Sequence, residues 1–202
     1  MDFSPPLTDT EESWPIASST DLHRDDWVVA LRADRIRRPG TDGPDFRRLV
    51  LEHPGAVIVL AIDSEERVCC VAQYRHPASR RFVELPAGLC DTPGEEPLAV
   101  ARRELREEAG LRADSWTHLT SAYSSPGISA ELMHYFVARD LSPADRGEFD
   151  LEHEEADMTL FWAPFADLYD AALHGRLRDA PLVLAVLLAH ARGQARATLH
   201  EE

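Results

Sequence analysis

The sequence predicts an α+β protein in which a mixed β-sheet packs against helices. Three observations carry this. Short apolar or alternating runs of strand length fill the first 90 residues. One amphipathic helix with clear start and stop signals follows them. More strand runs and two closing helices complete the chain. The order strands, helix, strands, helices suits neither a doubly wound nucleotide fold nor a helix bundle.

Residues 1–20, which include MDFSPPLTDTEESWP, read as a polar, acidic leader with no basic start and no apolar stretch. A secretory signal is therefore not expected. Trp27–Ile36 and Phe46–His53 alternate enough to be strands, with Pro39-Gly40-Thr41-Asp42-Gly43-Pro44 as the loop between them. Residues 21–54 thus form an N-terminal antiparallel strand region, and residues 55–196 the main domain. Ala56–Asp63 and Val68–Tyr74 are apolar runs of strand length, and Ser64-Glu65-Glu66 makes a hairpin turn between them. Phe82–Leu85 is a short strand ending at Pro86-Ala87-Gly88.

The helix spans Pro97–Ala109, because Pro97 fits the first helical position and Gly110 the residue past the end. Leu98, Ala101, Leu105 and Ala109 recur at steps of three or four, which turns one stripe to the core. Strands follow near Trp116–Ala122, Leu132–Ala138 and Thr159–Ala163. Helices then cover Phe165–His174 and Ala180–Arg192, closed by Gly175 and Gly193. The Leu/Val/Ala-rich last helix reads as core or a subunit contact.

Composition narrows the function. The 202 residues carry 21 basic side chains, all arginine, against 36 acidic ones, for a net charge of −15. Such a surface repels nucleic acid and anionic membrane, although a bound divalent metal reverses the sign locally. The longest apolar segment is too short to span a bilayer. Cys69, Cys70 and Cys90 have no metal-binding spacing, which suits thiols of a reducing cytoplasm. His76, His118, His134 and His153 share no metal-site spacing either and read as structural or exposed.

The chemistry lies in GLCDTPGEEPLAVARRELREEAGL, residues 88–111. Glu104, Glu107 and Glu108 stand at i, i+3 and i+4, so they project to one helix face. Three such carboxylates repel one another unless cations intervene. They either point to water and pair with Arg102, Arg103 and Arg106, or they gather a hard divalent cation. A run such as RRELREE is most often a solvated helix face. The flanks favour the second reading. A Gly-containing loop follows a strand, Glu95 precedes Arg103 by eight residues, and Gly110-Leu111 closes the helix.

This segment resembles the Nudix box, G-x5-E-x7-R-E-U-x-E-E-x-G-U with U a bulky apolar residue. Glu95, Arg103, Glu104, Leu105, Glu107, Glu108, Gly110 and Leu111 match in register. Gly88 lies seven residues before Glu95 instead of six, so the loop has one extra residue. The resemblance implies a Nudix fold, a mixed sheet sandwiched between helices, and a Mg²⁺-dependent hydrolase in which Mn²⁺ can substitute. It implies Glu104 and Glu108 as the main metal ligands, Glu107 as a further one, and the Ala87 carbonyl as a ligand from the loop. Arg103 would orient the acids and Glu95 brace the loop against the helix.

Features outside the box resemble the ADP-ribose pyrophosphatase branch, with its actinobacterial members in particular. These are Gln73-Tyr74-Arg75 followed by Glu84-Leu85-Pro86-Ala87-Gly88, then Pro126 fifteen residues after Leu111, and His153-Glu154-Glu155-Ala156-Asp157-Met158. By that resemblance Glu155 is the general base, with Glu154 as the fallback, and Arg75 and Glu84 contact substrate. An ordinary ion pair between surface groups is the rival for the last two. Trp14 and Trp27 are candidates to stack a base, although a strand-like setting favours burial for Trp27. The polar start, the short apolar segments and the cysteine pattern suit a cytoplasmic protein, and the resemblance further implies a homodimer built through the N-terminal strands, acting on a small nucleoside diphosphate sugar. Another nucleotide sugar such as GDP-mannose, a dinucleotide, or a non-catalytic ligand sensor are the competing readings.

Overall fold

The computed structural model describes residues 7–146 and 157–197, and their contacts divide them into two compact units. The first holds the described residues up to His53 together with Ser125–Ala130. Its sheet is an antiparallel meander of β1 (Ile16–His23), β2 (Ala30–Ile36) and β3 (Phe46–Glu52). Residues 125–130 join it through Leu51 N–H donating to the Ile128 carbonyl at 2.7 Å and Ala130 N–H donating to the Leu51 carbonyl at 3.1 Å. The first strand starts at Ile16, inside the stretch that reads as a leader. Its eight residues are polar enough to hide the alternation and are exposed on both faces. Trp27 lies in a bend and is 64% exposed, against the burial expected from its sequence setting.

The second unit spans Pro54–Ser124 and the described residues from Glu131 onward. A mixed sheet, ordered β7-β4-β9-β8, comprises β7 (Ala87–Leu89), β4 (Ala56–Ala61), β9 (Leu132–Pro143) and β8 (Leu111–Tyr123). An antiparallel sheet, ordered β10-β5-β6, comprises β10 (Thr159–Pro164), β5 (Arg67–Arg75) and β6 (Arg80–Glu84). The turn at Ser64–Glu66 forms as read, but β4 and β5 part into different sheets after a single bridge at Ile62 and Val68. The expected one sheet is therefore two.

β4 explains the layering. It runs parallel to β9, and all six of its residues are buried. A strand covered on both faces reads as a continuous apolar run. Ala56, Ile58 and Leu60 face one core with α2 (Phe165–Leu173) and α3 (Ala180–Ala191). Val57, Val59 and Ala61 face the other with α1 (Pro97–Ala109), through Val100, Ala101, Leu105 and Ala109. The mixed sheet thus lies between helices. α1 starts on Pro97 and ends on Gly110, whose φ of 63° favours glycine. α3 is capped by Asp179, whose carboxylate accepts from Leu182 N–H at 2.8 Å. No helix among the described residues is long and apolar enough to cross a membrane.

Candidate active site

Packing α1 on β4 and β7 fixes which way its acids point. Burial of Ala101 and Leu105 turns Glu104 and Glu108 inward as well, one helical turn apart, and each is only 8% exposed. Both meet the backbone of β7. Glu108 Oε2 accepts from Ala87 N–H at 3.0 Å. Glu104 lies across Gly88, where a Cβ would stand 2.0 Å from its Cδ and 2.2 Å from its Oε1. Gly88 therefore opens the seat that Glu104 occupies.

Arg103 ties the remaining acids together. Its Nη1 donates to Glu104 Oε1 at 2.7 Å and to Glu107 Oε2 at 3.3 Å. Its Nη2 donates to Glu95 Oε2 at 3.5 Å and lies 3.8 Å from Asp91 Oδ1. Glu107 is also met by Arg106 at 3.4 Å, so it points toward cations instead of the sheet. Burial opposes the charge on Arg103, but Glu104, Glu95 and Glu107 hold it protonated. For Glu104 burial wins. Its carboxyl is pushed up to about 7 despite Arg103 beside it.

The extra loop residue is absorbed before the helix begins. Glu95 N–H donates to the Thr92 carbonyl at 3.1 Å, with Gly94 at φ 81° in open space.

The second cluster is Arg75 with Glu84. Arg75 Nε donates to Glu84 at 3.0 and 3.2 Å, and its Nη2 donates at 2.7 Å. Glu84 is buried, whereas half of the Arg75 side chain is exposed. The two expected substrate contacts therefore bind each other. Glu84's bonds keep Arg75 charged, and Asp179 and Glu108 add to the field around it. Of the α1 acids, Glu108 is near enough to act on the Arg75 charge. Burial pushes Asp179 up to about 6. Asp179 and Arg146, whose Nη2 donates to the Glu108 carbonyl at 2.7 Å, carry no motif that the sequence alone would mark.

Glu154 and Glu155 lie outside the described residues. The loop's last residues are described: Arg81 pairs with the Asp157 carboxylate and donates to its carbonyl at 3.2 Å. Trp14 donates to Glu12 and meets the Phe46 ring edge-on at 6.2 Å. Cys69 and Cys70 are buried, which pushes both thiols up to about 12.

No three His, Cys, Asp or Glu side chains among the described residues converge as a ready cage. The donor set nonetheless fits a hard cation. Two buried carboxylates abut one strand backbone, and burial penalises the charge on one of them, a penalty that a bound cation would relieve. Mg²⁺ takes few carboxylates and keeps several waters.

A two-sided sheet, a loop–helix that seats acids against its edge strand, and the box sequence define a Nudix hydrolase. The NUDIX domain profile matches residues 52–185, and the chain belongs to that family. Its relatives include an ADP-ribose pyrophosphatase of Mycobacterium tuberculosis, 41% identical over 181 residues, covering 90% of this chain and 85% of the relative. A GDP-mannose pyrophosphatase of Yersinia pestis is 30% identical over 169 residues, covering 81% of each. The crystal structure of an ADP compounds hydrolase superposes with a TM-score of 0.74 at 21% identity, over 94% of this chain and all of that one.

Proposed function

We propose that the protein hydrolyses the pyrophosphate bond of ADP-ribose to AMP and ribose 5-phosphate. One observation carries the chemistry: Glu104 and Glu108 are buried side by side against Ala87 and Gly88. The choice of substrate rests on the M. tuberculosis relative, whose similarity spans 90% of the chain.

Glu104, Glu108 and the Ala87 carbonyl would hold Mg²⁺ or Mn²⁺, with Glu107 as a further ligand. When bound, the metal supplies charge to the pyrophosphate and lowers the pKa of a coordinated water. The chain's own residues do the rest. Arg103 holds Glu104 and Glu107 in place and links them to Glu95, so loop and helix keep one geometry. Arg75, steadied by Glu84, keeps Nη1 without a protein partner among the described residues. That nitrogen is available to a phosphate or ribose oxygen. Glu155 takes the proton from the attacking water.

The exposed Ile16, Leu22 and Leu49 of the N-terminal unit support a homodimer formed through that sheet. A Mg²⁺ assay across ADP-ribose, GDP-mannose and dinucleotides tests the substrate. ADP-ribose should show the highest kcat/KM. A much higher value on GDP-mannose would displace it in favour of the activity named for the Yersinia relative.

A further inference from the structure

On the face of the mixed sheet that α1 covers, two histidines without a common sequence spacing meet on one hydroxyl. His118 Nε2 lies 3.0 Å from Ser121 Oγ, and His134 Nδ1 lies 2.9 Å from the same oxygen. Ser121 and His134 are direct cross-strand partners on β8 and β9. In a regular strand, residues three apart face opposite sides. Here a register shift between His118 and Thr120 inserts one residue, so His118 and Ser121 share a face. The His118 ring packs on Phe136 at 5.4 Å, which fixes its direction. Phe136 itself belongs to the core under α1.

We propose that His118, Ser121 and His134 form a second metal site, selective for a borderline transition metal such as Cu²⁺ or Zn²⁺ and separate from the carboxylate site of α1. Two nitrogens aimed at one point are the donor set such ions prefer, and hard Mg²⁺ does not select imidazole. Burial, and then His118 beside it, lowers the proton affinity of His134. A metal–nitrogen bond is about 2.1 Å, so each ring needs to close in by about 1 Å as the hydroxyl swings aside or becomes a third ligand. Water fills the remaining positions.

The test is Cu²⁺ titration of the full chain in saturating Mg²⁺, read by calorimetry and by electron paramagnetic resonance. Wild type should bind one Cu²⁺ with the signature of two coupled nitrogens. The His118→Gln/His134→Gln variant keeps side chains that can still bond Ser121. It should bind at least tenfold more weakly, lose the nitrogen signature, and retain its Mg²⁺-dependent turnover. Cu²⁺ binding of unchanged affinity and spectrum in that variant would overturn the proposal. So would a wild-type spectrum showing oxygen ligands alone.

Discussion

Replacing Gly88 by alanine sets the acid site against the fold. The new Cβ would stand 2.0 to 2.4 Å from Cδ, Oε1 and Cγ of Glu104, so that side chain must leave its seat. The backbone itself does not resist, since φ of Gly88 is not in the left-handed region. Moving Glu104 to another rotamer costs on the order of 1 kcal/mol. Against this, its buried carboxyl, raised from 4.5 to about 7, costs the metal-free fold about 3 kcal/mol at pH 8. Release into water recovers part of that. Metal-free Gly88→Ala should therefore melt at the wild-type temperature or above at pH 8. Its stabilisation by Mg²⁺ should largely vanish, and kcat/KM should fall at least 100-fold, about 2.7 kcal/mol. Gly55→Ala is the contrast. Its Cβ meets the Leu132 carbonyl at 2.9 Å, and its φ is 95°, so it should lower stability by about 1–3 kcal/mol. Thermal melts with and without Mg²⁺, with steady-state turnover, read both variants. A Gly88→Ala protein that melts as early as Gly55→Ala, or that keeps full metal-dependent turnover, would refute the reasoning.

Three further outcomes follow from the same contacts. The raised Glu104 carboxyl makes the folded state bind more protons than the unfolded one. Glu104 should therefore cost the metal-free fold nothing below about pH 4.5 and about 3 kcal/mol once pH has risen through about 7, a decline that Glu104→Gln flattens and Mg²⁺ reverses in denaturant titrations. Arg75→Ala strands the buried Glu84 carboxylate and should lower stability by about 1–3 kcal/mol while raising KM; adding Glu84→Gln should restore the melting temperature but not KM. Arg81→Ala frees Asp157, next to the loop that carries Glu155, and should cut kcat about tenfold or more with a smaller change in KM; equal loss in both, or none, would detach Arg81 from positioning that loop.

Much of this was legible in the residues themselves. α1 falls where Pro97 and Gly110 place it, because both act locally and need no tertiary information. The inward turn of Glu104 and Glu108 follows from their shared face with Ala101 and Leu105. β1 escaped notice since its residues are exposed on both sides and carry no apolar period. The split of β4 and β5 into two sheets is set by their partners β9 and β10, more than 70 residues away in each case. Asp179 and Arg146 reach the site by chain folding, and a single cap or arginine has no pattern to read. The meeting of His118 with His134 depends on one inserted residue in β8, which spacing along the chain conceals.

If the buried acids of α1 support hydrolysis of a nucleoside diphosphate sugar, removing the charge of one of them must stop turnover without unfolding the chain. The direct measurement is release of AMP from ADP-ribose in Mg²⁺ by wild type and by Glu108→Gln, with folding confirmed by circular dichroism. Glu108 Oε2 is held by Ala87 N–H, and glutamine keeps an oxygen able to accept that bond while losing the charge. Wild type should release AMP and ribose 5-phosphate in equal amounts, and the folded variant should lose at least 100-fold in kcat. Undiminished AMP release by folded Glu108→Gln would contradict the account.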